Sequence, residues 1–134
     1  MTGGTGSHTG GCLCGQVRYR VDAPIGDVAH CHCTMCRRAS GAVAVTWFTV
    51  QPDAFTLTTG QLRSWQSSPG ATRGFCPGCG CQITFQTDAA AGELDVTLAT
   101  LDDADRHPAQ RHIWTDSRLS WLTLDPDLPE SGQE

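Results

Sequence analysis

The chain has 134 residues, of which 39% are hydrophobic and 17% are charged, and its formal net charge is -5. This length suits one domain with a modest core and is too short for two. No window approaches the roughly 18 apolar residues of a membrane-spanning helix, and residues 1–11 lack a signal-peptide pattern, so we expect a soluble, cytoplasmic protein with no membrane partner. All nine basic residues are arginines, in runs of no more than two, so we expect no nucleic-acid partner.

The composition predicts one folded domain between two tails. Residues 1–10 are rich in Gly and Thr and have no apolar side chain after the first, which predicts a disordered N-terminal tail. Residues 126–134 predict an acidic C-terminal tail. The domain itself is therefore expected to span residues 11–125.

Strand patterns dominate this domain and predict a mainly β fold. Alternating or continuous β-prone residues predict strands, in chain order, at 17–21, 42–50, 55–58, 62–65, 71–75, 82–86 and 94–98. One short helix is predicted from Thr34, as a possible N-cap, to about Ser40, with Gly41 ending it.

Cysteine is the unusual residue, with eight in the chain. They form three clusters: Cys12 and Cys14; Cys31, Cys33 and Cys36; and Cys76, Cys79 and Cys81. The C-x-x-C turn of the third cluster is a zinc-knuckle half-site, in which Gly78 and Gly80 permit the positive φ angles that such turns use. Disulfides are the alternative, but close-set pairs bridge poorly with each other and nothing predicts an oxidising compartment. The spacing therefore favours metal binding.

Counting ligands divides the cysteines between two sites. The middle cluster alone supplies three thiols, which is typical of a catalytic zinc site with one position left for water or substrate. The C-x-C and C-x-x-C pairs of the outer clusters together supply four thiols, which is typical of a closed structural site. Cys81 is left over.

Three ordered motifs carry a family resemblance: residues 11–19 (GCLCGQVRY), 30–38 (HCHCTMCRR) and 75–80 (FCPGCG). They resemble the glutathione-dependent formaldehyde-activating enzyme family, which includes the centromere protein V domain, and the likeness extends over about residues 10–130. The resemblance implies a β-tent fold of small antiparallel sheets with zinc knuckles and one short helix. It also implies two zinc ions per chain.

The resemblance assigns roles to the cysteines by position. It implies a structural zinc held by Cys12, Cys14, Cys76 and Cys79, and a catalytic zinc held by Cys31, Cys33 and Cys36. The reaction implied is that of a carbon-sulfur lyase, which forms or cleaves an S-hydroxymethyl adduct of glutathione or another small thiol with formaldehyde. Arg37 and Arg38 could grip a carboxylate of the thiol, or could instead offset thiolate charge or face solvent.

Cys81 departs from the family pattern, because members commonly carry Ser or Thr at this position. It could be a fourth ligand that closes the second zinc site, a resolving thiol, or a small buried side chain. A closed site would favour a non-catalytic binding module with two zinc ions. A reversible disulfide between Cys81 and the middle cluster would instead favour a redox sensor.

Overall fold

The computed structural model describes residues 6–134, and over that range it contains ten strands and one α-helix. The strands are β1 (His8–Gly11), β2 (Arg18–Val21), β3 (Ala29–Cys31), β4 (Val45–Val50), β5 (Phe55–Thr59), β6 (Arg63–Ser68), β7 (Ala71–Phe75), β8 (Gln82–Thr87), β9 (Leu94–Thr97) and β10 (Arg111–Ile113). The helix, α1, spans Thr34–Ser40, and short 3-10 turns connect several strands. Within residues 6–134, no helix is long and apolar enough to cross a membrane.

The strands form two sheets. The smaller has the order β1-β2-β5, and the larger has the order β10-β3-β4-β9-β8-β7-β6. Neighbouring strands are antiparallel except for β10 and β3, which pair in parallel. The predicted mainly β fold of antiparallel sheets with one short helix is confirmed; the parallel pair was not expected.

The main core lies where the small sheet packs against the large one. Tyr19 of β2, Phe48 of β4, Ile83 of β8 and Val96 of β9 are fully buried in one cluster. The Tyr19 ring stacks on Phe55 with ring centres 5.0 Å apart, and its hydroxyl oxygen lies 2.8 Å from Thr100 Oγ1. A buried tyrosine thus keeps a partner for its polar end.

Strand β4 contributes to two clusters because successive side chains point to opposite faces of a strand. Phe48 faces the main core, whereas Trp47 packs in a second buried cluster with Cys31, Cys36 and Val45. The second cluster is the one beneath helix α1. Each of the two buried clusters therefore contains cysteines.

The N-cap of helix α1 lies one residue earlier than predicted. Its N-cap is Cys33, not Thr34, and the Cys33 sulfur accepts a hydrogen bond from the Cys36 N–H at 3.2 Å. The helix ends as expected at Gly41, which is left-handed with φ 74°. Capping by sulfur turns Cys33 and Cys36 toward the same point.

Parts of both predicted tails belong to the folded domain. Residues 1–5 lie outside the described residues, but His8–Gly11 form strand β1 and pair with β2. At the other end, the His112 N–H donates to the Pro129 carbonyl at 2.9 Å and the Ser131 N–H donates to the His112 carbonyl at 2.9 Å. Backbone hydrogen bonds to a strand edge need no apolar side chains, so composition gave no sign of this docking.

Strand β1 offers a direct test of its packing through Gly10. A Cβ atom at Gly10 would overlap the Tyr19 hydroxyl and the Thr100 carbonyl. We expect Gly10→Ala to lower the free energy of unfolding by about 1–3 kcal/mol, the usual cost of overpacking. Urea denaturation measures this, with Gly26→Ala as the control, because a Cβ there meets nothing within 4 Å. Equal stabilities of the two variants would show that β1 is not packed in this way.

Candidate metal centres

The first cysteine group is formed by two loops from different sheets. Cys12 and Cys14 lie between β1 and β2, and Cys76 and Cys79 lie between β7 and β8. Their four sulfurs lie within 4.8 Å of one another, with 3.6 Å from Cys12 to Cys14 and 3.7 Å from Cys14 to Cys76. Sulfurs on one tetrahedral zinc, at about 2.3 Å from the metal, are about 3.8 Å apart. The group therefore has the spacing of a closed four-thiolate site.

Backbone N–H groups point at these sulfurs, as expected for a zinc knuckle. Cys12 Sγ accepts from the Val17 N–H at 3.3 Å, and Cys76 Sγ accepts from the Gly78 and Cys79 N–H groups at 3.3 and 3.4 Å. Such donors stabilise thiolates over thiols. The arrangement prepares the sulfurs for a cation.

The two knuckle glycines differ in backbone conformation. Gly80 has a positive φ, 79°, and its N–H donates to the Cys76 carbonyl at 2.8 Å. Gly78 does not use this freedom, since its backbone is not left-handed. A Cβ there would overlap only the end of the exposed, flexible Gln16 side chain, which can move aside.

The second group consists of Cys31 at the end of β3, the capping residue Cys33, and Cys36 in the first turn of α1. Their sulfurs also lie within 4.8 Å of one another, and Cys31 and Cys36 are buried. Hydrogen bonds from Cys31 and then Cys36 lower the pKa of Cys33 to about 2, and the shared bond with Cys33 raises the pKa of Cys31. One thiol thus ionises at the expense of its neighbours, and full ionisation requires a cation.

The second group faces a cleft that the first group does not line. The cleft has a volume of about 520 Å³ and is lined by all three of these cysteines and by none of the other five. Trp47 and Phe85 form an aromatic wall, with ring centres 6.0 Å apart. The lining also carries the exposed carboxylates of Asp27, Glu93 and Glu134, together with the partly buried Asp95 and Arg111.

Arg73 is a site residue that the sequence did not reveal. It is 5% exposed, and its guanidinium lies 4.6 Å from the centre of the Phe85 ring and 3.8 Å from Cys36 Sγ. It also donates to Ser67 Oγ at 3.2 Å and to Gln82 Oε1 at 3.1 Å. A buried arginine requires a negative partner, and the thiolates of the second group supply one.

Arg73 left one signal in the sequence. Ala71, Arg73 and Phe75 share one face of strand β7, so the arginine stands on the otherwise apolar face of a strand that leads into the knuckle. The pattern indicates that a charged side chain points inward. It does not indicate the partner, Cys36, which lies 37 residues earlier in the chain.

The arginines chosen from the sequence lie elsewhere. Arg38 is exposed and lines a neighbouring cavity with Trp65, while Arg37 donates to Thr34 Oγ1 at 3.4 Å and does not line the cleft of the three cysteines. The two cavities share Thr34, Met35 and Arg73. Arg38 therefore borders the cleft without entering it.

Cys81 belongs to neither sulfur group. Its side chain is half-buried against the main core, its sulfur is 3.8 Å from the Gln82 carbonyl oxygen, and burial raises its pKa. The nearby histidines are engaged with other residues: His30 Nδ1 is 2.6 Å from Thr46 Oγ1, and His32 Nε2 is 3.0 Å from His112 Nδ1. The second group as described therefore has three protein ligands.

Comparison with known proteins agrees with this arrangement. The family model described as glutathione-dependent formaldehyde-activating enzyme matches residues 7–117. The chain belongs to this family. It is 27% identical over 128 residues to a Halomonas elongata protein named for glutathione-dependent formaldehyde activation, with 87% of this chain and 80% of that protein covered.

A solved structure shares the fold of this family member. The crystal structure of a Rhodobacter sphaeroides protein superposes with a TM-score of 0.61 at 22% identity, covering 91% of this chain and 98% of the other. All seven clustered cysteines lie within the matched range of the family model. Both groups of this family member could bind zinc, because thiolate sulfur in tetrahedral spacing is a zinc donor set.

The two groups are expected to differ in what they do for stability. Cys76 is fully buried in the main core, so we expect Cys76→Ser to abolish cooperative unfolding and to lower the zinc content by one. The reason is that the binding free energy of a structural zinc, on the order of 10 kcal/mol, is also folding free energy. Thermal denaturation and elemental analysis measure the two effects.

Cys81→Ser is the matched control, because Cys81 lies in the same loop but in neither group. It should keep both the zinc content and the unfolding transition. Cys36→Ser should lose one zinc ion while retaining the fold. Equal collapse of the Cys76 and Cys36 variants would contradict the division into a structural and a cleft site.

Proposed function

We propose that this protein is a zinc-dependent, carbon-sulfur lyase-like enzyme. It forms or cleaves the S-hydroxymethyl adduct of formaldehyde with glutathione or another small thiol, in the reducing environment of the cytoplasm. The observation that supports this most strongly is the asymmetry of the two sulfur groups. The first group offers four sulfurs, enough to close a tetrahedral site, whereas the second offers three and opens on a cleft of about 520 Å³.

The proposal assigns two zinc ions per chain. Cys12, Cys14, Cys76 and Cys79 would hold the structural ion, and the three cleft cysteines would hold the other with one tetrahedral position left for a substrate. A zinc ion there would lower the pKa of the substrate thiol and hold its sulfur beside the aldehyde. Thiolate ligands must stay reduced, which is why the cytoplasm suits the activity.

The reaction balances without an oxidant or reductant. As the thiolate sulfur bonds to the formaldehyde carbon, the carbonyl π electrons move to oxygen, which takes up the proton that the thiol has lost. Cleavage is the reverse. The protein therefore needs to stabilise a thiolate, exclude bulk water and position a small aldehyde, rather than carry electrons.

Arg73 supports the thiolate-stabilising step. Three thiolates and one divalent cation together carry one negative charge, which Arg73 beside Cys36 offsets. Stacking on Phe85 and the bonds to Ser67 and Gln82 fix the guanidinium in place. A neutral centre can accept a fourth thiolate more readily than a negative one.

The outer part of the cleft favours a thiol that also carries an ammonium group. Arg111 lies 2.9 Å from an Asp27 oxygen and 3.2 Å from a Glu134 oxygen, so its charge is already matched. Glu93 and Asp95 add two more acidic side chains to the lining, although burial raises the pKa of Asp95. Carboxylates of the thiol would be directed toward Arg38 at the neighbouring cavity, and glutathione carries both kinds of group.

The activity can be tested by exchange NMR of formaldehyde with a small thiol. We expect the wild-type protein to accelerate adduct exchange and Cys36→Ser to give the rate of buffer alone. Cys81→Ser is the matched control and should retain the wild-type rate. If glutathione, cysteine and cysteamine all exchange at the buffer rate with intact, zinc-loaded protein, the enzyme hypothesis is wrong and a non-catalytic zinc module is favoured.

Arg73 gives a second test through pH dependence. A positive charge close to a sulfur favours the thiolate, so its removal should raise the pKa of the reacting thiol by about 1 unit. We expect the acid side of the pH–rate profile of Arg73→Gln to move to higher pH by that amount. Arg63→Gln, on exposed strand β6, is the matched control. An Arg73 variant that loses rate at every pH with no shift would contradict the electrostatic role.

A further inference from the structure

A third cluster of metal-ligand side chains lies outside both cysteine groups. It joins strand β1 to the 3-10 turn Ala104–Arg106 and consists of His8, Asp103 and His107. Asp103 Oδ2 is 3.0 Å from His8 Nδ1 and 3.0 Å from His107 Nε2. We propose that these three residues form a separate binding site for a divalent transition-metal ion. The site is independent of the proposed enzyme activity.

The geometry of the two imidazoles agrees with one shared cation. Their ring centres are 5.2 Å apart and their planes make an angle of 79°. Two imidazoles on a tetrahedral zinc, with nitrogens at about 2.05 Å, have ring centres about 5.2 Å apart. Ligand atoms on such an ion lie about 3.3 Å from each other, so the observed 3.0 Å requires only a small expansion.

Burial and unsatisfied atoms provide an independent argument. The side chains of His8 and His107 are 2% and 7% exposed, and Asp103 is partly exposed. Asp103 Oδ1 is nonetheless buried and has no hydrogen-bond partner. An ionised carboxylate oxygen without a donor is costly, and a cation would compensate it.

The ligand set indicates which ions fit. Two imidazoles and one carboxylate are the donors of borderline ions such as Zn²⁺, Co²⁺ and Ni²⁺, in contrast to the all-sulfur groups. Because Asp103 is partly exposed, solvent can complete the coordination shell. An ion here would clamp β1, next to the loop of Cys12 and Cys14, to the segment that follows β9.

The test is a Co²⁺ titration of protein whose cysteine groups are already zinc-loaded. We expect one further equivalent to bind, with ligand-field absorption but without sulfur-to-cobalt charge transfer, and with paramagnetic shifts of the His8 and His107 imidazole signals in NMR. Asp103→Asn and His107→Gln should weaken this equivalent by roughly 100-fold or more. Asp102→Asn is the matched control, because Asp102 pairs with Arg18 and Thr9 instead.

The wild-type titration decides the proposal even if a variant fails to fold, because the imidazole shifts need no substitution. Absence of a further equivalent, or binding accompanied by charge-transfer absorption, would overturn it. So would equal Co²⁺ affinity of the Asp103 and Asp102 variants. In those cases the cluster is a carboxylate that accepts hydrogen bonds from two imidazoles.

Discussion

The convergence of four sulfurs from two sheets is the contact on which the rest of the fold depends. Cys12 and Cys14 belong to the loop of the three-stranded sheet, and Cys76 and Cys79 to a hairpin of the seven-stranded sheet. Cys12 and Cys76 are also members of the main apolar core. A metal ion bound by these sulfurs would therefore join the two sheets at the same place where their side chains pack.

The charge of clustered thiolates constrains what surrounds them. At the four-sulfur group, backbone N–H groups of Val17, Gly78 and Cys79 face the sulfurs. At the three-sulfur group, a buried arginine adds to the backbone donor of the helix cap. The donors at the four-sulfur group belong to its own loops, whereas the three-sulfur group depends on a side chain from another strand. The second group can therefore be tuned without changing the knuckle.

The position of each sulfur group explains its proposed role. The four-sulfur group has its full set of protein ligands and lines no part of the cleft beside the second group. The three-sulfur group lies between an apolar wall of Trp47 and Phe85 and an acidic outer rim. In the proposed reaction, a small aldehyde and a thiolate would occupy the apolar, water-poor part, and a charged end of the thiol would contact the rim. Under this proposal, the chemical step and the recognition of the substrate would take place in different parts of one cleft.

The sequence by itself determined the features that depend on near neighbours in the chain. Cysteine spacing gave both sulfur groups, strand alternation gave most of the strands, and Gly41 gave the end of the helix. Three features depended on distant partners and only the tertiary structure decided them. They are the docking of residues 8–11 and of the C-terminal segment, the placement of Arg73 beside Cys36, and the pairing of His8 with Asp103. In each case the partner is a backbone edge or a side chain at least 7 residues away in the sequence, which no local pattern encodes.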